Sequence, residues 1–244
     1  MPKSLTEAMP APANHGDCLV LRHVALAYGS TVVLRGLNAD IPRAEMVSIV
    51  GPNGSGKSTL LKSIAGLLPI VEGTVTLFDE PIRRVRHRIS YVPQREEVDW
   101  TFPVSVRDVV AMGRHAVKGW IAPLRADDHE RIAEAMRRLD IEDLADRQIG
   151  ALSGGQQRRA FLARAIAQDA DLFLLDEPMG GVDAATHDRI LELFDEWRSH
   201  GKIVLQATHT TIHGGSMIVL RTTRDQVIEE HMLHHADEAG AHHD

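Results

Sequence analysis

The stretch MVSIVGPNGSGKSTLLKSIAGLLP, Met46 to Pro69, decides the fold. Its first five residues, Met46 to Val50, read as a buried strand. Leu60, Leu61, Ile64, Leu67 and Leu68 fall at helical spacing behind it, and Gly66 and Pro69 end that helix. Between strand and helix lies GPNGSGKS, Gly51 to Ser58. Gly51, Gly54 and Gly56 let the backbone take conformations a side chain forbids, so successive N–H groups point inward and form a nest for phosphate oxygens. Lys57 then places a point charge on the β- and γ-phosphates of a nucleotide and Ser58 offers a hydroxyl to Mg²⁺, while the N-terminus of the helix favours the same anion. Pro52, Asn53, Ser55 and Thr59 complete the expected binding loop.

DLFLLDE, Asp171 to Glu177, carries the hydrolytic half. Leu172 to Leu175 form the short apolar run of a parallel strand covered on both faces. Asp176 and Glu177 sit at its carboxyl end, where open parallel sheets bind ligands. Asp176 is suited to hold Mg²⁺ through its water shell, and Glu177 to orient or deprotonate an attacking water. Two solvated carboxylates at a strand end are common in isolation. The companion phosphate loop makes that bland reading poor.

A third string, LSGGQ at Leu152 to Gln156, completes a pattern that resembles the nucleotide-binding subunits of ATP-binding-cassette (ABC) transporters, from about Leu19 to His209. The resemblance implies an α/β fold: a P-loop NTPase (RecA-like) core with an antiparallel β layer and an inserted helical subdomain. It implies ATP and Mg²⁺ as cofactors. Tyr28 is similar to the aromatic on which adenine stacks. Gln94, in YVPQ, resembles the glutamine that contacts Mg²⁺ or water. Ser153, Gly154, Gly155 and Gln156 resemble the signature loop that clasps the γ-phosphate of an opposite subunit, at the start of the Ala/Arg-rich helix Gln157 to Ala167. Asp183 resembles the aspartate of the loop that crosses the dimer, and His209 the histidine that reaches the γ-phosphate. Each has a plain packing or solvated alternative. Seven elements in the family's order favour the functional reading. The family's catalytic set here is Glu177, His209 and Gln94, with Ser58, Gln94 and Asp176 holding the Mg²⁺ of MgATP.

Composition agrees. The 244 residues are 43% hydrophobic, enough for a sizeable core, and the net charge of −7 disfavours nucleic acid and anionic membrane surfaces. Arg83 to Arg88 are basic but lack interleaved aromatics and read as a solvated face. One cysteine, Cys18, excludes an internal disulfide framework. No apolar stretch approaches the roughly 20 residues that span a bilayer, so if the chain powers transport, another chain must supply the pore. Residues 1–18 read as a flexible N-terminal segment and 19–228 as the ATPase domain, with the helical insertion at about 95–150. Ile132, Ala135, Met136 and Leu139 lie on one face of a helix beginning near Asp127 or Asp128. The core resumes at Leu152 and runs through the strand Ile203 to Thr208. Residues 229–244 form a His-rich tail, read as disordered, with metal binding as the alternative.

The segments Tyr91 to Arg114 and Asp176 to His187 resemble the manganese/zinc/iron branch of ABC importers. That resemblance implies an ATP-hydrolysing subunit on the inner, cytoplasmic face of the cell membrane. Its partners would be a second copy of itself, a polytopic permease and, indirectly, an extracytoplasmic metal-binding protein. Trp100, Phe102 and Pro103 either line the groove that receives the permease or pack inside the helical insertion. A soluble ABC ATPase serving as an assembly factor, or an importer subunit for another cargo, stays open as the alternative.

Overall fold

The computed structural model describes residues 15–29, 31–94, 98–208, 216–220 and, as backbone, 232–234. A 3-10 turn at His15–Asp17 leads into β1 (Cys18–Tyr28), then β2 (Thr31–Pro42), β3 (Met46–Val50), α1 (Lys57–Ile64), β4 (Glu72–Leu77), β5 (Glu80–Pro81) and β6 (Ile89–Val92). Then follow α2 (Val106–Lys118), α3 (Ala126–Arg138), α4 (Gly154–Gln168), β7 (Leu172–Asp176), α5 (Ala184–Ser199), β8 (Ile203–Thr208), β9 (Ser216–Val219) and β10 (Met232–His234).

The strands form two sheets. One is antiparallel in the order β2-β1-β4-β5, and the other runs β10-β9-β3-β8-β7-β6. In the second, β9, β3, β8, β7 and β6 are parallel neighbours and only β10 runs antiparallel, against β9. All five residues of β7 and the first four of β3 are buried, as strands covered on both faces require. Because side chains alternate along a strand, Phe173 and Leu175 enter one core with the helical insertion, while Leu172 and Leu174 enter another with α1 and the antiparallel sheet. Trp197 of α5 stacks on Phe173 with ring centroids 3.7 Å apart.

The two layers are stitched beside Phe78, which follows β4. The guanidinium carbons of Arg43 and Arg88 lie 3.7 and 4.8 Å from its ring centroid. Arg88 Nε donates to Asp171 Oδ2 at 2.7 Å, and Arg43 Nη1 lies 3.7 Å from Asp171 Oδ1. Each stacked cation of this kind contributes about 0.5–2 kcal/mol.

The helical insertion is built as the spacing predicts. Ile132, Ala135, Met136 and Leu139 are all buried, on or just past α3. Asp128, also buried, accepts from Arg114 Nε at 3.0 Å, Lys118 Nζ at 2.5 Å and the Arg125 amide at 2.9 Å, which joins α2 to α3. These bonds, the Lys118 one foremost, hold its carboxyl far below the usual carboxylate range. Helices α2 and α4 touch at Gly113, where a Cβ would sit 2.3 Å from the Arg164 carbonyl oxygen.

Four expectations change. Helix α1 stops at Ile64, short of Leu67 and Leu68, because Gly66 turns to φ +73° and the Leu67 and Leu68 amides bond back to the Lys62 carbonyl. Leu67 is left exposed. Helix α4 begins at Gly154, ahead of Gln157, since Ser153 caps it. At the N-terminus, Cys18 is buried and already in β1, so the 1–18 segment is ordered at its end. In the tail, Met232–His234 is a strand: it pairs with Ser216–Ile218 and covers the otherwise open edge of β9. Of the two readings offered for Trp100, Phe102 and Pro103, the packed one holds for Trp100 alone. Trp100 packs edge-on against Phe161, 5.5 Å between centroids, whereas Phe102 and Pro103 are exposed. The Tyr28 side chain, His209 and the remaining tail lie outside the described residues.

Candidate active site

The loop after β3 is shaped by contacts that exclude side chains. At Gly51 a Cβ would meet the Leu220 carbonyl oxygen at 2.5 Å and Ser55 Oγ at 2.6 Å; at Gly56, φ +95°, it would meet Val33 Cγ1 at 2.7 Å. Helix α1 has Gly56 as its N-cap, with no side-chain cap bond and no acidic residue in its first turn. Its leading amides are therefore a cradle for an anion. Lys57 is buried, and its Nζ donates to the carbonyls of Gly51 at 2.8 Å and Pro52 at 3.1 Å. The ammonium thus rests on its own loop.

A cavity of about 410 Å³ opens over this loop, lined by residues 53–59 with Val33, Gln94 and Glu177. Its size suits a small-molecule ligand. Gln94 Nε2 donates to Glu177 Oε2 at 3.1 Å across it. Asp176 ends β7 fully buried, with Tyr91 Oη 3.5 Å from its Oδ2. Glu177 takes a left-handed backbone, φ +49°, while its amide donates to the Ala207 carbonyl of β8 at 3.0 Å. That turn carries the carboxylate off the strand and into the cavity. Ser58, Gln94 and Glu177 line the cavity and Asp176, at the end of β7, does not; all four carry oxygen donors of the kind Mg²⁺ takes.

The structure gathers the phosphate loop, Gln94 and Glu177 but leaves the signature loop apart, since residues 153–156 do not line the cavity. Ser153 Oγ accepts from the Gln156 amide at 3.3 Å and Gln156 Oε1 from the Ser153 amide at 3.0 Å, a reciprocal cap that presents the N-terminus of α4. Asp183 caps α5 in the same manner, accepting from the Thr186 amide at 2.8 Å and the Thr186 hydroxyl at 3.0 Å. Those bonds, the backbone one first, lower its pKa. Sequence reading missed Val33, which the antiparallel sheet inserts beside Gly56, and the arginines of α4. A basic residue repeated along an otherwise buried, Ala-rich helix was the available signal for the latter.

The model of the ABC transporter family matches residues 34–180, from β2 through the signature loop to just beyond Glu177. The chain belongs to the ABC transporter family. As an ABC subunit it binds ATP and is an ATPase coupled to transport. It is 47% identical over 186 residues to the zinc transport system ATP-binding protein TroB of Treponema pallidum, covering 76% of this chain and 70% of that one. It is 44% identical over 189 residues to the manganese transport system ATP-binding protein MntB of Bacillus subtilis, covering 78% and 76%. In fold it is similar to the dimeric structure of MJ0796, a bacterial ABC transporter cassette, at 27% identity and a TM-score of 0.75 over 89% of this chain and all of that one. Among the described residues, no helix of this ABC chain is long and apolar enough to cross a membrane.

Proposed function

We propose that the chain is the ATP-hydrolysing subunit of an importer for a divalent transition metal, manganese, zinc or iron, working as a head-to-tail pair beneath a separate polytopic permease. One observation supports the pairing above the rest: the cavity holds the phosphate loop, Gln94 and Glu177 yet lacks residues 153–156, so each site awaits the signature loop of another copy. A relative solved as a dimer and relatives named for zinc and manganese transport support the assembly and the cargo.

In this reading ATP enters the cavity, and Lys57 exchanges the Gly51 and Pro52 carbonyls for β- and γ-phosphate oxygens. Ser58, Gln94 and Asp176 would hold Mg²⁺, which when bound neutralises charge on those oxygens. Glu177, oriented by Gln94, directs a water in line at the γ-phosphorus and accepts its proton. Ser153 and the α4 N-terminus of the second copy stabilise the charge that develops on the transferred group. Tyr28 would stack on adenine and His209 would reach the γ-phosphate. An extracytoplasmic metal-binding protein would supply the ion, and the assembly would sit on the cytoplasmic face of the membrane.

The cargo is tested by measuring cellular manganese, zinc and iron in a strain lacking the gene, complemented either by the wild-type chain or by Glu177→Gln. The expected result is a deficit in one of the three metals that only the wild-type chain repairs. Unchanged levels of all three would overturn the metal assignment.

A further inference from the structure

One side chain of α4, Arg158, reaches both segments that carry the reacting groups. Arg158 is buried; its Nη1 donates to the Pro93 carbonyl at 3.0 Å, and its Nη2 to the carbonyls of Asp176 at 3.4 Å and of Glu177. Pro93 immediately precedes Gln94. One guanidinium therefore holds the backbone of both residues whose side chains meet in the cavity, Gln94 and Glu177. The contacts form a closed loop: Arg158 to the Glu177 carbonyl, the Glu177 carboxylate to the Gln94 amide, and Gln94 through Pro93 back to Arg158. A neighbouring arginine shows that the span is specific. Arg164, whose pKa burial pushes down to about 10, donates to the Tyr91 carbonyl and so braces the β6 end alone.

A buried guanidinium must be satisfied on both arms, and its planar fork fixes the spacing of what it holds. If the Gln94 and Glu177 segments separate, one arm loses its acceptor; if they stay together, α4 is registered against them. Ser153 caps that same helix five residues earlier, about 7.5 Å along its axis at 1.5 Å per residue.

We infer that Arg158 is a positioning residue for ATP hydrolysis. It sets the approach of Gln94 to Glu177 in its own subunit, and through the rigid start of α4 it ties that approach to the placement of Ser153. A subunit's own nucleotide site and the loop it offers to the second copy are thereby one mechanical unit. The second half of this inference rests on the paired-subunit reading above.

The test uses the purified full-length chain, with turnover expressed per ATP-binding site and the fold checked by thermal melting. Arg158→Gln is expected to leave the KM for ATP within about twofold and to lower kcat at least tenfold, because among the described residues Lys57 hydrogen-bonds the Gly51 and Pro52 carbonyls while Arg158 holds those of Pro93, Asp176 and Glu177, away from the phosphate loop. Arg158→Lys keeps the buried charge but lacks the planar fork, so it should also lose several-fold in kcat. In a cycle with Gln94→Ala, adding Arg158→Gln should cost little more than Gln94→Ala alone, the mark of two residues acting on one geometry. A merely structural arginine would lower the melting temperature and the fraction of binding-competent protein, with kcat per site intact. Additive losses, a kcat per site within twofold of wild type, or full activity in Arg158→Lys would overturn the inference; should Arg158→Gln fail to fold, the lysine variant decides. A wild-type chain that hydrolyses ATP as a monomer, undisturbed by Ser153→Ala, would instead sink the paired-subunit reading and leave the Gln94–Glu177 half to be judged by the cycle.

Discussion

Glu177 does two things that pull against each other, holding a left-handed backbone that costs on the order of 1–3 kcal/mol outside glycine while turning its carboxylate toward Gln94. Such a conformation persists when neighbours fix it, here Ala207 and Arg158. Glu177→Gln preserves the shape and removes the base. It should bind ATP as tightly as wild type and lose about a hundredfold or more in turnover, measured by phosphate release. Gly56→Ala acts on the other side of the cavity, because a methyl group there enters Val33 at an unfavourable φ. ATP affinity measured by titration should collapse while the melting temperature falls only modestly, the strain being local to the loop. At this scale the sequence was highly legible wherever chemistry demands one residue type. Lys57 and Glu177, expected from the phosphate-loop string and from the end of an apolar strand, both line the cavity, while Asp176 ends β7 without lining it. Val33 was invisible because nothing in a β2 valine distinguishes contact with a distant glycine from ordinary core packing.

Among the elements, the helix termini and crossings are where small changes have definite prices. Asp183→Ala removes both bonds that cap α5, which should lower stability by about 1 kcal/mol, read from denaturant unfolding. Gly113→Ala forces α2 and α4 apart and should lower stability by roughly 1–3 kcal/mol, the usual range for overpacking. The Asp128 cluster adds a pH dependence with a fixed sign. Its folded pKa is depressed, so its contribution is complete above the unfolded value of about 4 and is lost as the pH falls below it. Melting temperatures from pH 7 down to pH 3 should therefore drop more steeply in wild type than in Asp128→Asn. The strand ahead of the phosphate loop, β7 and β8 agree with sequence reading to within a residue, since a fully buried parallel strand leaves an unbroken apolar run. Helix α1 was overextended because leucines at helical spacing continue past Gly66, and periodicity does not reveal a chain that has turned back onto Lys62. The β10 strand was missed for the opposite reason: three residues carry no period, and what orders them is the edge of β9.

For the whole molecule, the division into two cores matters most. The helical insertion packs on one face of the parallel sheet, and α1 with the antiparallel layer packs on the other. The phosphate loop leads into α1 in the second body and the signature helix packs in the first, with Arg158 of that helix reaching the Pro93 and Glu177 carbonyls across the boundary. Light scattering of Glu177→Gln should register twice the monomer mass with ATP and the monomer mass without it; a single mass in both conditions would reject the paired site. The clasp of Arg43, Phe78, Arg88 and Asp171 bears on how such a pair does work. By pinning the antiparallel layer to the parallel sheet, it resists slip between the two layers of the nucleotide-binding half. In the paired-subunit reading, force developed at the phosphates would then be delivered outward as displacement rather than dissipated inside the subunit.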